Sequence, residues 1–259
     1  MPLSSRKETA RFSFSPTPVP LGPHLGVPLA LFALAVCWLV LLHGDLWVAD
    51  RLYAWEGHAW ALRHVFATQE LIHVGGKRLS LLAWLAVAAL YAATWRLPRL
   101  REWRRPLLYL LVAVALGTGL VSALKHFTDM DCPWDIDRYG GLRAYFNLFT
   151  PRPHGLPRGM CFPAGHASAG YAWVALYFFF LATRPAWRWR GLAIGLASGA
   201  VFGISRQLRG AHFLSHDIFA MIICWGVALG SYYMLYPAVR RAPVETGARP
   251  LASRQGAPA

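Results

Sequence analysis

The sequence predicts an all-α integral membrane protein: six transmembrane helices, N-in and C-in, with the active site at the outer (periplasmic) face. Three observations predict it. Hydrophobic residues make up 56% of the 259 residues and fall in blocks rather than evenly. Basic residues crowd every second connection between those blocks. The residues that carry chemistry stand at block ends that this topology brings to one side.

The six blocks are 25–43, 79–95, 107–124, 167–183, 191–204 and 218–236. Most lie near the lower limit of about 17–20 apolar residues that a helix needs to cross a bilayer. Block 191–204 is shorter and carries Gly191, Gly195, Ser198, Gly199 and Gly203. Small residues at that spacing predict a helix packed closely on others, away from lipid. The first block follows a polar, Pro-rich lead and is followed by His43-Gly44-Asp45, not by a small-residue cleavage site. It reads as a retained span rather than a signal peptide. The chain then divides into an N-terminal tail, 1–24, a membrane domain, 25–236, and a disordered cytoplasmic tail, 237–259.

The outer connections are 44–78, 125–166 and 205–217. The first carries Trp47, Tyr53, Trp55 and Trp60, which suit a short helix lying at the interface. The second is turn-rich, with Gly140-Gly141, Pro151, Pro153 and Pro157. Its run Cys132-Pro133-Trp134-Asp135, with Tyr139 after it, reads as a structured lid. Asp129, Asp131, Asp135 and Asp137 in it form an acidic cluster, read as a solvated loop before a cation or sugar site.

The formal net charge is +14, from 26 basic and 12 acidic side chains. In a soluble chain this would suggest nucleic acid. Here position decides otherwise. Arg96, Arg99, Arg101, Arg104 and Arg105 fill one connection, and Arg184, Arg188 and Arg190 another. Arg6, Lys7 and Arg11 precede the first block, and Arg240, Arg241, Arg249 and Arg254 follow the last. The positive-inside rule makes these segments cytoplasmic, so the implied partner is the bilayer and no nucleic acid is required. The Arg-rich composition points to a bacterial source and a multi-pass inner (cytoplasmic) membrane protein. Of four cysteines, Cys37 and Cys224 fall within blocks, while Cys132 and Cys161 share one outer loop. The latter pair is a candidate disulfide, closing a loop of roughly 30 residues for about 3–4 kcal/mol.

Three motifs then converge. Block three runs outward and ends at Lys125. Pro163-Ala164-Gly165-His166 precedes block four. Block five ends at Ser205-Arg206, with His212, His216 and Asp217 at the start of block six. Lys125 and Arg206 supply positive charge and donors for a phosphoryl group. The amide of Gly165 at a helix start adds an anion-binding N–H. One histidine can attack phosphorus while a second protonates the leaving oxygen. The attacking imidazole needs a partner to fix its tautomer.

These motifs resemble the type-2 phosphatidic acid phosphatase superfamily, whose pattern is K-x6-R-P, P-S-G-H and S-R-x5-H-x3-D. The resemblance spans residues 125–217, and the six-span arrangement extends it over most of the chain. It implies His212 as nucleophile and His166 as general acid, with Lys125, Arg206, Gly165 and Ser205 binding phosphate. It implies no metal and no cofactor, and a membrane lipid phosphate as substrate. Cys132 stands in place of the family's Arg, Ala164 in place of Ser, and His216 in place of Asp, with Asp217 one residue later. Arg138, Arg143, Arg152 and Arg158 are the candidates to replace the missing Arg. Either His216 or Asp217 orients His212.

Candidate substrates are phosphatidic acid, phosphatidylglycerol phosphate, a polyprenyl pyrophosphate and the phosphates of lipid A. A lipid phosphotransferase would use the same phosphohistidine, and a degenerate site would leave a lipid-phosphate-binding protein. A transporter needs polar residues at mid-membrane, and blocks one to four hold almost none. The spacing of His212 and His216 also suits a zinc pair, with Asp217, His166 or Cys161 as third ligand.

Overall fold

The computed structural model describes residue 14, residues 17–153 and residues 155–237. The expected disordered tail, apart from its first residue, and most of the expected N-terminal tail lie outside the described residues. Eight α-helices follow in order: α1 (Val27–Val36), α2 (Gly44–Trp55), α3 (Gly76–Arg96), α4 (Arg104–Leu124), α5 (Gly165–Tyr171), α6 (Ala175–Thr183), α7 (Arg188–Gln207) and α8 (Leu214–Leu235). Among the described residues there is no strand, only an isolated bridge between Ile136 and Arg143.

Four continuous helical stretches are long and apolar enough to cross a membrane: Gly22–Leu41, Ala67–Arg96, Pro98–Leu124 and Leu214–Leu235. This is a helical membrane protein. The remaining two expected spans take a different form. Block 167–183 becomes α5 and α6, continuous through one 3₁₀ turn at Ala172–Val174, with most of their residues buried and the rest half-buried. Block 191–204 becomes α7, whose glycines and terminal arginines lower its hydropathy. α7 packs its glycine face inward and exposes Ile194, Val201 and Ile204 on the other, whereas α5 and α6 form the inside of the bundle, where close packing matters more than lipid-facing apolarity. By contrast, α1 and α3 expose Leu31, Leu34, Leu79 and Leu82, as helices facing lipid should.

The seam between α5–α6 and α7 is built from glycine. A Cβ at Gly170 would overlap the backbone of Gly199, and one at Gly195 would overlap Val174. The Ser198 hydroxyl donates to the Gly170 carbonyl at 3.2 Å across the same seam. On the other side of α5–α6, the rings of Tyr109 (α4), Phe178 (α6) and Tyr232 (α8) are fully buried together.

The bundle has two chemically different ends. At one end Arg105 at the start of α4 donates to the carbonyl of Leu235 at the end of α8. Thr17 donates to the Leu181 carbonyl there, and the Tyr232 hydroxyl donates to Thr17. The N-terminal segment and the Arg-rich connection therefore share that end. The end of α4 and the starts of α5 and α8 lie at the other.

Two connections differ from expectation. Residues 44–78 hold a short helix, α2, as expected, but the connection ends earlier, because the helix carrying α3 begins at Ala67 with wide π-type turns over Ala67–Gly75. Polar residues such as Gln69, Glu70, Lys77 and Arg78 hide this extension from a hydropathy reading. The third outer connection is shorter than 205–217. Ser205 and Arg206 lie in the last turn of α7, and His216 and Asp217 in the first turn of α8.

The 125–166 connection folds over the site end as a lid. Tyr139 is buried against Tyr53 and Trp60, and its hydroxyl donates to Asp50 at 2.9 Å. Gly141 passes so close to the Asp135 and Ile136 backbone that no side chain would fit. Cys132 and Cys161 are joined as a disulfide, with Cα atoms 5.3 Å apart. The acidic cluster is partly consumed inside the loop: Arg152 pairs with Asp129 at 2.8 Å and Asp131 at 3.0 Å.

Candidate active site

α5 begins at Gly165, and the absence of a side chain there matters. A Cβ would lie 3.2 Å from the Lys125 side chain, so the ammonium of Lys125, just past α4, rests against the start of α5. Burial lowers the Lys125 pKa from 10.5, and the nearby Arg206 lowers it further. An amide-rich helix start beside an ammonium is an anion site.

His212 lies in the turn between α7 and α8 and is 3% exposed. Its Nδ1 is 3.4 Å from Nδ1 of His216 one helical turn on. Burial holds the His212 imidazole well below the ordinary histidine range, assisted by His216, Arg206 and Lys125. It is therefore neutral at pH 7, the form that can act as a nucleophile. The two alternatives for its partner now separate. Asp217 points away, toward α7: its Oδ2 accepts a short hydrogen bond from the Gln207 amide, and Gly203 leaves the space it occupies. His216, fully buried, is the residue facing His212.

His166 is 9% exposed, with its Nε2 buried and unpartnered. Its ring lies 4.2 Å from that of His73 and 5.2 Å from Phe202. Arg206 has a buried, unpartnered Nε, and its guanidinium stands 5.7 Å from the Trp134 ring. Ser205 is turned elsewhere, donating to the Thr68 carbonyl at 3.4 Å. It tethers α7 to the start of the α3 stretch.

None of the four arginines considered as replacements at position 132 is free. Arg138 forks onto Asp50 at 2.7 Å, Arg143 pairs with Asp131, Arg152 with Asp129, and Arg158 donates to the His126 carbonyl. Among the described residues no group of three His, Cys, Asp or Glu side chains is placed to hold a metal ion, so His212 and His216 lack a third ligand.

Sequence reading missed two contributors. His73 arrives on the π-type turns preceding α3; such widened turns are frequent at functional sites, and this is the only signal it gave. Asp45, in the first turn of α2, is 4% exposed and accepts the Ser215 backbone N–H at 2.9 Å. It caps α8 from another helix and so fixes the turn that carries His212. Burial pushes its carboxyl up to about 6 from 3.8, while the Ser215 contacts oppose the shift. A carboxyl raised on folding adds stability below its unfolded pKa and loses it as pH rises through the folded one. This group therefore favours the fold at pH 4 over pH 7. Asp45→Asn keeps the acceptor without the charge, so its unfolding midpoint should lose that decline between pH 4 and 7. Asp45→Ala should cost about 1 kcal/mol, as loss of a cap does. Thermal unfolding across pH would show both.

At one end of this helical membrane protein two buried histidines lie near Lys125 and Arg206, the kinds of group that binding and transferring a phosphoryl group require. The family model of the PAP2 superfamily matches residues 106–240, just over half of the chain and all of these groups except His73 and Asp45. The chain belongs to the PAP2 superfamily, whose members are phosphatases. No curated protein and no solved structure matches it.

Proposed function

We propose that the protein hydrolyses a phosphate monoester or diphosphate carried by a membrane lipid, through a phosphohistidine on His212. The observation that supports this best is the pairing of neutral, buried His212 with Lys125 and Arg206, whose charges both reach it. The ring nitrogen of His212 not facing His216 attacks phosphorus. The P–O bond to the lipid breaks, and His166, which burial keeps neutral until phosphate binds and which takes up a proton when the phosphate's negative charge lies beside it, gives that proton to the departing oxygen. Water then attacks the phosphohistidine, its proton goes to His166, and the P–N bond breaks to release inorganic phosphate. Lys125, Arg206 and the Gly165 amide hold the oxygens, which gather charge in both steps.

The lipid chain has a place to lie. An apolar cleft of about 400 Å³ is lined by Phe32, Val174, Leu192, Leu196, Ile218 and Met221. Ile218, on the first turns of α8, is the lining residue nearest in sequence to His212 and His216. We place the site at the outer face of a bacterial inner membrane. The position of the Arg-rich connection before α4, at the opposite end of the bundle from Lys125 and His212, supports this orientation.

The test is phosphate release in detergent from a panel of lipid phosphates and diphosphates, with EDTA present. Release that survives EDTA and disappears in His212→Ala supports the mechanism. Release that EDTA abolishes would sink it.

A further inference from the structure

A second group of donors lies beside Arg206, outside the three motifs. Arg209, 5% exposed, donates through Nε to the Arg63 carbonyl at 2.9 Å and through Nη2 to Gln69. Its Nη1 is buried with no acceptor. The Arg63 guanidinium stacks 4.1 Å from the Trp134 ring, which Arg206 also approaches. The Trp134 N–H donates to the Gly210 carbonyl at 2.9 Å, locking the lid to this loop. Gly210 has φ +64°, and without a side chain it lets Trp60 pack against it. The Trp60 indole N–H is buried there and also has no acceptor. Trp60 and His212 share the wall of a small cavity of about 10 Å³, together with Asp45, Pro133 and Gln207.

Among the described residues, no carboxylate pairs with Arg63, Arg206 or Arg209, whereas Arg138, Arg143 and Arg152 all have one. Asp217 offsets part of the Arg206 charge without pairing with it, and three guanidiniums this close still repel one another unless an anion sits among them. They also lie on a particular side. Arg206, Arg209 and Lys77 are the charges whose fields reach His73, and His73 stacks on His166. That is the side from which the departing oxygen takes its proton.

We propose that Arg63, Arg209 and Trp60 form a second anion subsite, which holds a second phosphoryl group on the leaving side and makes a lipid diphosphate the substrate class. This rests on the phosphatase reading above. His212 attacks the terminal phosphorus, the bridging P–O bond breaks, and the bridging oxygen, protonated by His166, leaves as part of a lipid monophosphate. The second subsite meets the charge that grows on that leaving phosphate.

The experiment compares farnesyl diphosphate with farnesyl monophosphate, using the full-length protein in detergent, and reads the ratio of their kcat/KM values. The wild type should favour the diphosphate, and Arg209→Gln and Arg63→Gln should each lower the ratio at least tenfold. Inorganic pyrophosphate should compete better than inorganic phosphate, and both variants should narrow that difference. Arg209 also braces the Arg63 backbone, so if Arg209→Gln does not fold, Arg63→Gln decides alone. A ratio that moves less than twofold in folded variants overturns the subsite. Pyrophosphate competition without a preference for the lipid diphosphate overturns the lipid source. Turnover of the monophosphate alone sinks this inference but leaves the phosphatase reading standing, while turnover of neither by the wild type sinks that reading itself.

Discussion

His212→Ala should reduce lipid phosphate hydrolysis by about 10³-fold or more, since removing an attacking nucleophile leaves only binding and electrostatic stabilisation. The same measurement taken across pH carries a second expectation. Burial and the neighbouring His216, Arg206 and Lys125 depress the His212 pKa below its ordinary value. The neutral form needed for attack thus persists as pH falls through 6.5, and the acid limb of kcat/KM should lie below the range of an exposed histidine. His216→Ala is the informative companion. If His216 orients His212, this variant should lose kcat far more than it raises KM. Asp217→Asn, which keeps an oxygen for Gln207 and has no described bond to His212, should lose less. Equal losses in the two would contradict the assignment of His216 as partner.

Gly170→Ala should be among the most destabilising single methyl additions. A Cβ there overlaps the Gly199 backbone, and neither helix has a flexible side chain to give way. Overpacking typically costs about 1–3 kcal/mol, and a backbone-to-backbone clash belongs at the upper end of that range. The effect reaches the site, because the same seam sets the distance between α5, which carries His166, and α7, which carries Arg206. Gly230→Ala is the control: nothing lies within 4 Å of its Cβ position, and helix propensity alone should make it neutral or better. A thermal shift comparing the two in one detergent tests the claim. Equal melting temperatures would mean that the seam can open without cost.

Much of the helical framework was legible because hydropathy and helix length are local properties. The runs at 25–43, 107–124 and 218–236 became helices with ends displaced by a few residues. The extension of that helix back to Ala67 was not legible, since Thr68 is buried against Ser205 far along the chain. The motif residues could be found by spacing and topology. Their partners could not. Asp45 and Ser215 are 170 residues apart, and Arg209 and Arg63 are 146 apart, with no periodicity linking either pair. Whether His216 or Asp217 faces His212 turns on one residue of helix phase, about 100°, which is set by where α8 begins.

Asp45 and Asp50 both belong to α2, the short helix that leaves Trp47 and Trp55 exposed. One carboxylate holds the start of α8, and the other holds Arg138 and Tyr139 of the lid. On the proposed placement, those tryptophans rest among lipid headgroups. The nucleophile and its cover are then both hung from an element whose height is set by the bilayer. With that placement and the proposed activity, leaflet thickness and headgroup crowding would act mechanically on turnover.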